Sequence, residues 1–143
     1  MQTFSDYLGD DHHRCDKLFA RAEEAVGKGA NDAASAHAAF VAAMEQHFGM
    51  EENELFPAFE SASGSSQGPT SVMRHEHQQM RQLFAEMGEA LAEGRADDYL
   101  GAAETLLILM QQHNAKEEQI LYPMSDRLLA GEREALLGRM QGQ

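Results

Sequence analysis

Residues 47–57 read HFGMEENELFP, and residues 113–123 read HNAKEEQILYP. Both follow one pattern: His, three residues, Glu-Glu, two residues, Leu, an aromatic residue, Pro. Each copy lies among Leu, Ala, Met, Glu and Gln, which are strong helix formers. At about 100° per residue, helix positions four apart differ by only about 40°. His47 and Glu51 therefore share a face, as do His113 and Glu117. Phe40, Met44 and Leu55 extend the first stripe, and Leu106, Leu109, Met110 and Leu121 the second. Polar pairs embedded in apolar stripes are expected to point into a core.

The rest of the chain repeats as well. DHHRCDKLF around His12 and EHQQMRQLF around His77 share one frame: an acid, the His, five residues, Leu-Phe. His13 and His75 have no counterpart in the other half and are left outside the candidate site. The first helix is predicted from about Ser5 to Gly27, capped by Ser5 or Asp6, and the second from about Asn31 to Ser61. The third is predicted over about Thr70 to Glu93, the fourth from Asp97 to about Tyr122, and a short fifth over about Glu132 to Met140. GKGAN (27–31), SASGSSQGP (61–69) and GR (94–95) break the pattern between them. Pro57 and Pro123 predict a kink or a stop. The fold class expected is all-α: an antiparallel up-down-up-down four-helix bundle with a short C-terminal fifth helix. It forms a single domain over residues 1–143, with pseudo-repeat halves at about 5–61 and 70–124.

Composition narrows the function. The net charge of −13 argues against nucleic acid and anionic membrane surfaces and suits cation binding. No apolar run approaches the roughly 20 residues of a membrane span. MQTFSDYLGDDHH lacks the basic-then-apolar layout of a secretory leader, so a cytoplasmic location is expected. The lone Cys15 can form no internal disulfide. The seven His make imidazole the enriched ligand type.

His12, His47, Glu51, His77, His113 and Glu117 are thus six ionisable groups directed at one core. Buried without partners, such groups cost several kcal/mol each. Two His–Glu pairs hydrogen-bonded across the bundle would satisfy some of them, and a bound cation would satisfy all. Four imidazoles and two carboxylates exceed the four ligands of a structural zinc. They suit two metals bridged by the carboxylates, and imidazole with oxygen ligands suits iron. Two iron ions are expected, with manganese or a mixed centre as the alternative. Glu118 competes with Glu117 as the ligand of the fourth helix.

The sequence at this point resembles the hemerythrin-like, or HHE cation-binding, family. Asp11-His12, H-x3-E-E-x2-L-F-P from His47, M-x2-E-H from Met73 to His77 and H-x3-E-E from His113 carry the resemblance. It implies a four-helix bundle holding an oxo- or hydroxo-bridged di-iron site. Family members bind oxygen, respond to oxygen, nitric oxide or peroxide, or act in iron homeostasis. The oxygen carriers have a fifth His four residues before the position of His77; here that residue is Met73. A four-His, two-Glu set is similar to the repair-of-iron-centres branch, whose members are implicated in nitrosative stress and iron–sulfur cluster recovery. With one imidazole fewer, both metals keep an exchangeable position. The expected function is binding or sensing of oxygen, nitric oxide or peroxide, with redox turnover or iron homeostasis as the alternative. A sensor of this size would rely on a partner protein for its readout.

Smaller features carry smaller expectations. Asp16, four residues after His12, is expected in a hydrogen bond to that imidazole or in a surface salt bridge. Cys15, Met44, Met80 and Met110 read as core filler. Glu52 and Glu118, the second acid of each Glu-Glu pair, read as a solvated face. Tyr122, nine residues after His113, falls on the opposite side of an ideal helix.

Overall fold

The computed structural model describes residues 2–142, which form four long helical rods and a short fifth helix with no strand among them. The first rod is α1, Phe4–Gly27. The second is α2, Ala33–Met50, running through a wide turn at Glu51–Leu55 into α3, Phe56–Ser63. The third is α4, Pro69–Ala92. The fourth is α5, Ala96–Lys116, running through a second wide turn at Glu117–Leu121 into α6, Tyr122–Leu128. The short helix α7 spans Arg133–Gln141. The links are short, so successive rods run antiparallel. The closest pairs are α1 with α2 and α4 with α5; α2 against α4 and α1 against α5 close the ring. None of the described helices is long and apolar enough to cross a membrane.

Helix α1 starts earlier than the sequence suggests. The cap is Thr3, whose hydroxyl accepts from the Asp6 backbone N–H while the Asp6 carboxylate accepts from the Thr3 N–H. Ser5 instead donates its hydroxyl to Asp126 at 2.8 Å, and Asp126 also accepts from the Phe4 N–H at 2.7 Å. Asp126 lies beyond Pro123, in a stretch where the fourth helix was expected to have ended. Neither proline stops its rod. In the wide turns the N–H of Phe56 donates to the Glu51 carbonyl, and that of Tyr122 to the Glu117 carbonyl. These bonds span five residues instead of four, which is a π turn. The extra residue comes just before each proline, whose ring would clash with the preceding turn of a regular helix. It also turns everything downstream by about 100° relative to an unbroken helix.

Two apolar clusters fill the bundle. One holds Phe19, Phe40, Met44, Met80, Phe84, Tyr99 and Leu106. The other, at the end covered by α7, holds Phe4, Leu8, Leu55, Phe56, Leu121, Tyr122 and Leu136. A layer of buried polar side chains separates them.

The π turn predicts an unusual mutational contrast. Gln119→Ala should change stability by no more than about 0.5 kcal/mol, because the side chain is exposed. Deleting Gln119 closes the turn to a regular helix in which Tyr122 still lies about 80° from His113, so the ring stays in the site and the cost should stay below about 1.5 kcal/mol. Deleting the equally exposed Gln111, in the regular part of α5, turns His113, Glu117 and Tyr122 by about 100° together and should cost about 3 kcal/mol or more in urea unfolding. Equal midpoints for the two deletions would rule the turn out as the place that absorbs the extra residue.

Candidate metal centre

His12, His47, Glu51, His77, His113 and Glu117 meet in the polar layer, and none is more than 4% exposed. Each carboxylate faces two imidazoles. Glu51 Oε2 lies 3.6 Å from His47 Nε2, and Glu51 Oε1 lies 3.1 Å from His77 Nε2. Glu117 Oε2 lies 3.3 Å from His113 Nε2, and Glu117 Oε1 lies 3.0 Å from His12 Nε2. Ligand atoms of Glu51, His77, His113 and Glu117 all fall within 4.8 Å of one another, as do those of His12, His47 and Glu117. The arrangement forms two adjacent cages that share Glu117, with Glu51 lying between His77 of the first and His47 of the second. Between Glu117 and Glu118, it is Glu117 that sits inside: its side chain is fully buried, while that of Glu118 is 45% exposed.

A second carboxylate holds the outer nitrogen of every imidazole. His12 Nδ1 is 2.6 Å from Glu118, and His77 Nδ1 is 2.7 Å from Glu52. His47 Nδ1 is 2.8 Å from Asp11, and His113 Nδ1 is 2.9 Å from Glu76. Glu52 and Glu118 are therefore not a simple solvated face. The sequence carried the signal, a matched acid after each inward Glu, but helical angles alone do not reach across to the next rod. Glu52 is fixed in turn by Arg81, which also holds Glu45. Lys116 pairs with Glu76. Carboxylates in this position fix the ring orientation and raise ligand basicity. Asp16 is exposed, and the hydrogen bond expected from it to His12 is made by Glu118 instead.

Tyr122 is the largest departure from the sequence reading. It is fully buried, and its hydroxyl donates to Glu51 Oε2 at 2.6 Å. The same oxygen lies 2.9 Å from Glu117 Oε1, 3.2 Å from His12 Nε2 and 3.3 Å from His47 Nε2. Nine residues on an unbroken helix turn the chain by about 180°, away from the site. The π turn absorbs one residue, leaving about 80° and bringing the ring in. A proline following H-x3-E-E-x3-aromatic was the available sign of that turn.

The electrostatics reflect crowding. Burial alone would push the His113 imidazole down, but the Glu117 and Glu76 carboxylates outweigh it and hold it up at about 10. His47 is likewise raised well above its ordinary value, burial being overcome by Glu51 and Asp11. Burial would raise Glu51, and the surrounding imidazoles hold it well below the usual range. Glu76 is lowered to about 2 by its hydrogen bond to His113, and Asp11 and Glu52 reach about 2 against the effect of burial. Burial, then the Glu117 and Glu51 carboxylates, push the Tyr122 phenol well up. Four buried atoms nevertheless make no well-aligned hydrogen bond, although they face each other in pairs at 3.1 and 3.3 Å: Glu51 Oε1 with His77 Nε2, and Glu117 Oε2 with His113 Nε2. A buried polar atom left wholly without a partner costs about 1–3 kcal/mol, and the paired charges offset part of that here. All four belong to one cage, and a cation among them would satisfy the whole set.

The remaining candidates lie elsewhere. His13 and His75 are exposed. Cys15 is 2% exposed, and burial pushes its thiol up to about 11. Met44, Met80 and Met110 are buried against the same cluster. His37, which the sequence pattern did not single out, is buried with Nδ1 2.9 Å from the Tyr99 hydroxyl.

The shifts set a pH profile for the metal-free chain. The stability from raised His47 and His113 is fully present below about pH 6.5 and is lost as pH rises toward 10. That from the depressed Asp11, Glu52 and Glu76 is present above about pH 4.5 and is lost as pH falls toward 2. Urea midpoints measured with chelator should therefore peak between about pH 4.5 and 6.5. A midpoint still rising from pH 7 to pH 9 would contradict the pairing of these imidazoles.

Comparison with known families agrees with the geometry. The hemerythrin HHE cation-binding domain model matches residues 3–125, a span that contains all six inward His and Glu side chains, Tyr122 and the four outer carboxylates. No curated protein and no solved structure gives a significant match. A match over most of the chain, with its His and Glu residues gathered into buried cages, shows that the chain belongs to the hemerythrin HHE cation-binding family.

Proposed function

We propose that the chain is a non-haem di-iron protein that binds or senses oxygen, nitric oxide or peroxide. The observation that carries this reading is the set of four buried atoms facing one cage without a well-aligned hydrogen bond, beside a second cage of His12, His47 and Glu117. His12 and His47 would hold one iron and His77 and His113 the other, with Glu51 and Glu117 bridging. Among the described residues no thiolate belongs to either cage, and imidazole with carboxylate favours iron or manganese over softer metals. Bound iron would supply one-electron redox chemistry and positions for a small ligand. The chain's own residues supply the rest. Asp11, Glu52, Glu76 and Glu118 aim the imidazoles. His47 and His113, held protonated above their ordinary range, give up protons as metal enters. Apolar side chains on both sides exclude water, and the depth of the site admits only small molecules.

The whole chain is proposed to work as one domain, in the cytoplasm, with a partner protein supplying any readout. The alternative is a di-iron redox enzyme or iron-homeostasis protein, reducing peroxide or nitric oxide or repairing iron–sulfur clusters. The favouring observation is Met73, 2% exposed and packed in the apolar cluster where the oxygen carriers place a fifth His.

Iron-reconstituted protein should hold two metals per chain, counted by elemental analysis. His77→Ala should lose most of one. Glu52→Ala, which removes the outer partner of His77 and one of the two carboxylates on Arg81, should weaken metal binding by about 10–100-fold. Full stoichiometry in His77→Ala would overturn its assignment, and failure of all reconstitution would overturn the metal reading. Visible spectra then separate the two functions. A reversible adduct supports binding, and multiple turnovers of peroxide or nitric oxide support the enzyme.

A further inference from the structure

The two halves of the site are near copies related by a pseudo-two-fold rotation, and among the places where they differ one is a single oxygen. Phe56 and Tyr122 each come nine residues after the His of their motif, and both are fully buried. Phe56 stacks on His77 with ring centroids 5.6 Å apart and planes 25° apart. Tyr122 stacks on His12 at 5.6 Å and 27°. The rings are thus placed alike, and the difference between them is the Tyr122 hydroxyl. On its side, that oxygen contacts Glu51 Oε2, Glu117 Oε1, His12 Nε2 and His47 Nε2. On the other side, Glu51 Oε1 and His77 Nε2 face each other at 3.1 Å and Glu117 Oε2 and His113 Nε2 at 3.3 Å, with no hydroxyl among them and no well-aligned hydrogen bond.

The distances say what the oxygen is placed to do. Donors about 2.1 Å from one ion, at right angles to each other, stand about 3 Å apart. The phenol oxygen is 2.9–3.3 Å from the donor atoms of His12, His47 and Glu117 that form its cage, and 2.6 Å from Glu51 Oε2 beside it. Those are the separations of neighbouring ligands around a shared metal. The geometry points to Tyr122 as a seventh protein ligand, bound to the metal of the His12–His47 cage and leaving the exchangeable position on the metal of the His77–His113 cage. The ligand form is the phenolate, its proton being released to solvent as metal binds. Phe56 offers no donor, so a small anion or diatomic molecule takes the matching place on the other metal.

This inference rests on the di-iron reading above. The test uses oxidised, iron-loaded full-length protein, with iron counted in every sample. Wild type should show a visible tyrosinate-to-iron(III) band, with tyrosinate ring vibrations enhanced in resonance Raman on exciting into it. Tyr122→Phe should lose both while still binding two irons. Phe56→Tyr places a phenol on the other cage, and should weaken binding of the probe azide by at least about tenfold. Two bound irons without a tyrosinate signal in wild type would overturn the ligand role and leave the di-iron reading standing. A signal that survives in Tyr122→Phe, or azide binding unchanged in Phe56→Tyr, would overturn it as well. Absence of bound iron would remove both readings together.

Discussion

Everything in this bundle is organised around two carboxylates that are fully buried and shared. Glu51 and Glu117 each lie on one helical hairpin and reach an imidazole on the other. Charged groups at this depth are tolerated only with partners on every side. The sequence supplies them in layers: imidazoles inside, and a second ring of carboxylates behind the imidazoles. Two apolar clusters then seal the layer above and below. The bundle is held together by burial, but the requirements of these two side chains decide which rods neighbour which.

The outer ring also shows how a repeat departs from symmetry without losing its frame. Arg81 braces Glu52, whereas the position matching Arg81 in the other half is the exposed Asp16. Glu118 is consequently the more open of the two, with 45% of its side chain exposed against 21% for Glu52. One imidazole is clamped through a buttressed carboxylate and its mate through one in contact with water. The four histidines are equivalent in spacing and unequal in surroundings.

Much of this was legible in the residues. The repeated phrase, the apolar stripes and the matched frames around His12 and His77 lead to an all-helical bundle and bring all six inward groups into one layer. Spacing on an ideal helix is reliable for residues three or four apart, because little error builds up. It fails for Tyr122, where a π turn inserts one residue between the motif and the ring. It also fails for Glu52 and Glu118, whose partners sit on neighbouring rods. The same turn explains why Pro123 ended the expected helix but not the real one, and why Asp126 became available to cap α1.

The crossing of carboxylates between hairpins makes the polar layer depend on their docking. The contacts of α1 with α2, and of α4 with α5, are local in sequence and form at low loop-closure cost. Neither hairpin alone can complete a cage, because each supplies two imidazoles and only one of the two carboxylates around them. The polar layer comes into being only when the hairpins dock. Until then these six groups stay hydrated, and premature collapse onto one hairpin gains nothing from them. The feature most costly to bury is thus also the one that is satisfied only when the right two halves meet in the right register.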